Sequence, residues 1–220
     1  MNIASNIITT RRLLPPRVKL LVVSKTRSVV HIAEAYAAGQ RLFGENKAQE
    51  LASKAPQLPS DIEWHFIGHL QTNKVRGIAS FVHTIQSVES LRLLVVIDNE
   101  ARRVNRHISC LLQFHIASEE TKFGLDMDEA HALLRSPEFN AMKNIRIKGV
   151  MGMATYTYDE SIVRNEFRML QRYFGVLRSC YFAEDGSFCE ISMGMSGDFQ
   201  LAIEEGSTIV RLGSLIFGNK

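Results

Sequence analysis

The sequence predicts an α/β fold, a single (β/α)8 barrel of the TIM type, on three observations. Eight short apolar runs bounded by turn residues recur along its 220 residues. Most of them are followed by a segment of helical spacing, and polar residues collect just after the runs rather than inside them. Strands that are almost continuously apolar are buried on both faces, and strand–helix alternation implies right-handed parallel crossovers. An open doubly wound sheet is the competing reading, because the weakest strand could be struck from the count.

The first run, 19–24 (KLLVVS), leads to a helix from about Val29, with Ile32, Ala33, Tyr36 and Ala37 on one face and Gly39 as its C-cap. The second, 41–43, runs into Gly44-Glu45-Asn46 and a helix that must stop before Pro56. The third, 63–67 (EWHFI), reaches Gly68 and a helix over about 72–79. The fourth is 81–85, followed by a long helical segment over 88–105. The fifth, 109–116, is separated by a polar loop, 118–124, from a helix over about 126–135. The sixth is 146–153, with a helix over about 159–179. The seventh is 188–192 and the eighth 208–212. Residues 1–17 read as irregular or partly helical, interrupted by Pro15-Pro16. With no linker, low-complexity tract or internal repeat, the expectation is one domain over 1–220.

Composition narrows the function. Lys and Arg total 26 against 23 Asp and Glu, a net charge of +3, which is too small and too evenly spread for a nucleic-acid surface. No apolar stretch approaches the ~20 residues of a bilayer span, and the N-terminus lacks a secretory h-region. Arg11-Arg12 is an isolated pair rather than a targeting signal. Three cysteines, Cys110, Cys180 and Cys189, show no CxxC spacing and read as buried thiols of a reducing, cytoplasmic compartment.

In parallel α/β folds the ligand site lies at the carboxyl ends of the strands. Here those ends carry Ser24-Lys25-Thr26, Gly44-Glu45-Asn46, Gly68-His69, Ala154-Thr155, Ser196-Gly197-Asp198 and Gly213-Ser214. Ser196 to Asp198 opens a helical stretch and Gly213-Ser214 follows the last strand. Phosphate sites of (β/α)8 enzymes are often built from these two loops. Asp198 could instead simply cap its helix, and Gly213 simply turn the chain. Lys25 would sit over the barrel mouth rather than in bulk water. Burial there favours the neutral amine, which can form an imine with an aldehyde. Arg211, two residues before Gly213, shares its face and could point to the barrel centre; a salt bridge to Glu204 or Glu205 is the competing reading. A permanently cationic donor opposite a pyridine nitrogen keeps that nitrogen unprotonated and weakens the ring as an electron sink. His65 and His69 straddle Gly68 rather than sharing a helix face, so no metal site is expected. Glu119, Glu120 and Lys122 read as a solvated loop. Met151, Met153, Met193 and Met195 suit either packing around a flat ring or ordinary core filling.

The segments VVSKT (22–26), FGEN (43–46), WHFIGHLQTNK (64–74), KFGL (122–125), GVMGMAT (149–155), SMGMSGDFQLAIEEGST (192–208) and VRLGSLIFG (210–218) together closely resemble the pyridoxal phosphate homeostasis family, the YggS-like proteins. These are similar to the N-terminal barrel of alanine racemase standing alone. The resemblance runs from about residue 18 onward. It implies that Lys25 is the Schiff-base lysine for pyridoxal 5′-phosphate (PLP), that Arg211 faces the pyridine nitrogen, and that Ser196, Gly213 and Ser214 hold the phosphate. Asn46, His65, Ile67, Thr155 and Met193 would be ring-side neighbours. It further implies a monomeric or weakly associating PLP carrier, with PLP-dependent apoenzymes as recipients; composition already argues against a nucleic-acid or membrane partner. Family members usually carry a clear helix before the first strand, from which residues 1–16 depart.

Two enzymatic readings compete with the carrier. A racemase needs a second base opposite Lys25; in alanine racemase a tyrosine of another domain supplies it, and here only Tyr156 and Tyr158 stand near a strand end. A Schiff-base aldolase for a phosphosugar would also want a lysine beside a phosphate site, but Arg211 argues for a pyridine ring.

Overall fold

The structure is a computed structural model that describes residues 2–118 and 123–218. The loop residues Glu119, Glu120 and Lys122 therefore lie outside the described residues. Eight parallel strands close into a barrel in sequence order: β1 (Lys19–Val23), β2 (Leu42–Glu45), β3 (Glu63–Phe66), β4 (Thr84–Val88), β5 (Ile108–Phe114), β6 (Ile145–Gly152), β7 (Glu190–Ser192) and β8 (Ile209–Leu212), which returns to pair with β1. The open-sheet alternative is excluded.

The alternation along each strand divides the interior. Leu20 and Val22 of β1, Trp64 and Phe66 of β3 and Val210 and Leu212 of β8 join the apolar layer beneath the helices. Leu21, Val23, Leu111, Met151 and Ile209 are buried but stand apart from that layer, inside the barrel. Around that interior ring the chain also buries polar side chains: His65, Gln86, Gln113, Ser192 and Arg211. Such groups must find partners, and most do so within the barrel.

Several expected boundaries move. β4 starts at Thr84, because Phe81 and Val82 close the turn after α4 (Thr72–Val75), both donating to Ile78 O. The strand then continues through Gln86 and Ser87. They look like a strand end in sequence, but the interior that Gln86 faces is polar. Consequently α5 (Leu91–Arg103) begins after Ser90, whose hydroxyl caps Leu93 N–H. On α2 (Val29–Ala37) the buried face is Ile32 and Ala35, whereas Ala33 and Ala37 are exposed. Gly39 does terminate it, at φ +86°, with Gln40 N–H returning to Ala35 O. Phe188 precedes β7 and stacks between Phe174 and Phe182, at centroid distances of 4.9 and 4.2 Å. Of the cysteines only Cys110 is buried, its thiol pKa pushed up by desolvation; Cys180 and Cys189 are exposed, contrary to expectation.

The N-terminal segment is the largest correction. Residues Ile3–Leu13 form a regular helix, α1, with Asn2 accepting Ser5 N–H at its start. Its buried Ile3 and Ile7 pack toward α2 and α10 (Ser214–Phe217), and Asn6 Nδ2 donates to Ile216 O. Pro15-Pro16 does not interrupt this helix but follows it, and carries the chain under the barrel into β1. The remaining helices are α3 (Ala48–Lys54), α6 (Met127–Arg135), α7 (Pro137–Ala141), α8 (Glu160–Tyr181) and α9 (Phe199–Glu204).

Candidate functional site

At the carboxyl end of the barrel, β1 delivers Ser24 to a buried position and Lys25 to an exposed one. This corrects the expectation that Lys25 is sheltered from bulk water. What is buried is the support behind it. Lys54, 6% exposed at the end of α3, donates to Ser24 O (2.9 Å), Glu45 Oε1 (2.8 Å) and Glu50 Oε1 (2.6 Å). Ser24 Oγ–H donates to the same Glu45 oxygen (2.7 Å), and Thr26 N–H donates to Glu50 (2.6 Å). Thr26 needs that help, since it adopts φ +62°, an outlying conformation for a β-branched residue. Burial raises the Glu45 pKa despite the opposing bonds from Lys54 and Ser24. For Glu50 burial also pushes upward, but the bonds from Lys54 and Thr26 outweigh it and the pKa falls. Arg27 Nη2 donates to Gly218 O (2.6 Å) and ties the same turn to the end of α10.

Arg211 lies inside the barrel, 4% exposed, with its Nη1 donating to Ser192 Oγ (2.8 Å) and its Nη2 to Gly152 O (2.8 Å). The anticipated competitors for it are engaged elsewhere. Glu204 pairs with Arg164 (2.7 Å), and Glu205 with Arg164 and Arg168 (2.8 and 3.0 Å). Burial draws the Arg211 pKa down to about 10, with Asp198 acting in the other direction, so the guanidinium remains a cation at neutral pH. Two of its five N–H donors meet neutral protein acceptors. A buried cation without a carboxylate in contact among the described residues is suited to an acceptor on a ligand.

The β7–α9 and β8–α10 loops are neighbours, joined by Arg211 N–H to Gly194 O (2.9 Å). Asp198 does not cap its own helix; it accepts Met195 N–H (2.6 Å) and shapes the loop that presents Ser196. A Cβ on Gly197 would meet open space, whereas one on Gly213 would come within 3.2 Å of Val23 O. On the other side of the mouth Ile67 faces inward, its Cδ1 3.3 Å from where a Gly44 Cβ would stand. Asn46 is half-buried and its Oδ1 is a buried acceptor without a partner. Thr155 is fully engaged by a residue the sequence reading overlooked. Glu166, on α8, accepts its N–H (2.7 Å) and its hydroxyl (2.6 Å), while Ser118 N–H donates to both Thr155 Oγ1 (3.0 Å) and Glu166 (3.2 Å).

Two of the ten expected site residues are placed away from the mouth. Met193 is fully buried in the layer beneath the helices, because it follows inward-facing Ser192 in the alternation. His65 lies inside the barrel but lines the cavity at its opposite, amino-terminal end. It reaches the mouth only through a relay: Arg211 to Ser192, Ser192 Oγ–H to Gln86 Oε1 (2.6 Å), and Gln86 Nε2 to His65 Nδ1 (2.8 Å). His69 pairs instead with Glu89 (2.8 Å) and stacks on Phe123. Lys54, Glu50, Glu166, Gln86 and Ser192 are the functional supports that the sequence reading missed. The signal available for them was a charged, amide or hydroxyl residue inside an otherwise apolar face.

The sequence matches the family model for the alanine racemase N-terminal domain over residues 1–220. It is 36% identical over 224 residues to the pyridoxal phosphate homeostasis protein of Synechocystis, covering 100% of this chain and 98% of that one. The chain belongs to the pyridoxal phosphate homeostasis family. Among solved structures, PipY of Synechococcus elongatus is 34% identical and covers 98% of this chain and 100% of its own. It superposes with a TM-score of 0.91 in its form without PLP and 0.88 in the form with PLP bound. The alanine racemase of Bartonella henselae, 17% identical with a TM-score of 0.74 over 99% of this chain and 58% of its own, shares the barrel fold alone. Membership of the homeostasis family fits a mouth that offers a lysine, a buried arginine and two adjoining loops rich in small residues. No helix among the described residues is long and apolar enough to cross a membrane.

Proposed function

We propose that this chain binds PLP at the carboxyl mouth of the barrel, as an imine on Lys25, and serves in cofactor homeostasis as a carrier that hands PLP to apoenzymes. The observation that carries the reading is Arg211: a buried guanidinium with no carboxylate in contact among the described residues and donors to spare. PLP bound through its aldehyde supplies an electron sink, and a cationic donor at the ring nitrogen limits that capacity. Arg211 would donate to the ring nitrogen, and the unpartnered Asn46 Oδ1 and inward-facing Ile67 would border the ring. Ser196, Gly213 and Ser214 would receive the phosphate. Thr155 would border the ring through a position fixed by Glu166.

Carrier rather than racemase is favoured by the surroundings of Lys25. Its exposure lets an incoming amine reach the imine carbon, as release by transimination requires. Tyr156 and Tyr158, the nearest candidates for a second base, are 90% and 98% exposed. The expected state is a monomer in the cytoplasm. The test is a spectrum and a mass. Purified protein given PLP should develop a visible imine band, and borohydride should fix one phosphopyridoxyl group on the peptide containing Lys25. Lys25→Ala should abolish both. Protein that stays colourless with excess PLP defeats the reading; rapid, Lys25-dependent exchange of an amino acid's α-proton in deuterated buffer defeats the carrier part alone.

A further inference from the structure

The amino-terminal end of the barrel holds a cavity of about 740 Å3, lined by the segment after α1 and by the first residues of most strands. Glu63, His65 and His83 converge on it. One ligand atom from each lies within 4.8 Å of the others, and His83 Nε2 stands 4.0 Å from Glu63 Oε2. His65 is 4% exposed, and its Nε2 is buried without a hydrogen-bond partner.

We propose that Glu63, His65 and His83 form a binding site for one divalent transition-metal ion of the zinc class. Two imidazoles and a carboxylate are the ligand set such ions take, and three protein ligands leave positions open toward the cavity. Each imidazole is already oriented through its other nitrogen: Thr84 Oγ1 lies 2.9 Å from His83 Nδ1, and Gln86 Nε2 lies 2.8 Å from His65 Nδ1. Metal-bound histidines characteristically donate from that nitrogen to an acceptor; Thr84 Oγ1 is one for His83, and Gln86 offers one to His65 once its amide turns. Most of the cations lining the cavity are engaged elsewhere. Arg11 donates to Gly39 O and Gln40 Oε1, Arg41 to Asp61, and Lys19 to Glu190. Lys148 shares the cavity wall with them.

The site has a consequence for the relay. Arginine only donates, so Ser192 Oγ accepts from Arg211, its proton goes to Gln86 Oε1, and Gln86 turns Nε2 toward His65. That direction puts the His65 proton on Nε2. A metal takes Nε2 and moves the proton to Nδ1, so the Gln86 amide must turn its oxygen there and Ser192 loses its acceptor. Metal occupancy at one end therefore changes the hydrogen bonding of Ser192, the residue that accepts from Arg211 at the other. The site itself does not depend on the cofactor reading.

Untagged, PLP-free protein titrated with Co(II) should bind one equivalent, with visible d–d absorption of a low-coordinate nitrogen and oxygen site, displaced by Zn(II). Long-range 1H–15N spectra should show His65 passing from the Nε2–H to the Nδ1–H tautomer. His83→Ala and Glu63→Gln alter side chains that are 50% and 46% exposed. Both should keep the wild-type melt by circular dichroism and weaken Co(II) binding at least about tenfold. If one fails to fold, the other decides. Wild-type protein that binds no equivalent of Co(II), or folded variants that bind as tightly as wild type, would overturn the proposal.

Discussion

The two ends of the barrel are built from the same alternation of inward-facing residues, yet they are finished differently. At the carboxyl end the main chemical groups are held from behind: Lys54 braces Ser24 and the Lys25 turn, Glu166 braces Thr155 and Ser118, and Ser192 and Gly152 hold Arg211, while Asn46 Oδ1 and Glu45 Oε2 stay buried without partners. The braces come from α3 and α8, which follow the carboxyl ends of their strands closely enough to return a buried charge to them. The amino end is lined by the chain between α1 and β1 together with the turns before β2 and β7. There His65 keeps a buried nitrogen without a partner, and Glu63 and His83 stand half in solvent. One end is thus braced by buried charges returned from its helices, and the other leaves the His65 nitrogen unpartnered between two half-exposed neighbours.

The sharpest way to test this contrast is the pH dependence of stability. Burial, with smaller contributions from His83 and Lys19, lowers the His65 pKa to about 3 from an ordinary 6.5. The folded state keeps the ring neutral while the unfolded chain protonates it. Stability is therefore full above about pH 6.5 and lost as the pH falls toward 3, by ~1.4 kcal/mol per pH unit and about 5 kcal/mol across the interval. In buffer with a chelator, urea unfolding of His65→Gln should lose about one proton's worth of slope between about pH 6 and about pH 4 relative to wild type. An unchanged slope would mean that this end is hydrated, and the contrast would fail there.

A somewhat smaller effect tests the other end. Lys54→Met removes the cation that serves Glu45 and Glu50 together, leaving Glu45 buried with only Ser24 as a donor. Breaking a buried pair from one side typically costs about 3–5 kcal/mol, read as a fall in the denaturation midpoint. Adding Glu45→Gln should recover part of it, because the second change discharges the stranded carboxylate. Equal stability in the single variant and wild type would show that Lys25 stands on an unbraced turn.

These braces mark where sequence reading runs out. The barrel was legible because apolar runs and turn residues repeat, and Lys25, Arg211 and the Gly213-Ser214 turn were legible because strand ends in such folds carry function. Gln86 was not: an amide inside an apolar run reads as the end of a strand until the interior is known to be polar. Met193 was misplaced because parity, not proximity to a strand end, decides which way a side chain faces. Lys54 and Glu166 fall on the buried faces of α3 and α8, in line with Ala48 and Leu51 and with Val163, Phe167 and Leu170, and a single charge on such a face does not by itself name the distant residue it serves. The N-terminal helix was obscured by Pro15-Pro16, which ends a helix rather than breaking one when it falls after the last turn.

The smallest expected effect belongs to Glu166, and it separates bracing from mere burial. Its two oxygens accept three donors, Thr155 N–H, Thr155 Oγ–H and Ser118 N–H. Glu166→Gln keeps the size and shape but replaces one oxygen with an amide that only donates, so one of the Thr155 donors loses its acceptor. An unmet buried hydrogen bond costs about 1–3 kcal/mol, and the partial exposure of this loop places the loss near the lower end. The checks are a small fall in the urea midpoint and faster amide exchange at Thr155 and Ser118, with the rest of the barrel unchanged. A merely space-filling Glu166 would predict no change, since glutamine fills the same space. If exchange at Thr155 rises while PLP fixed on Lys25 by borohydride is undiminished, Thr155 steadies the mouth without touching the ring.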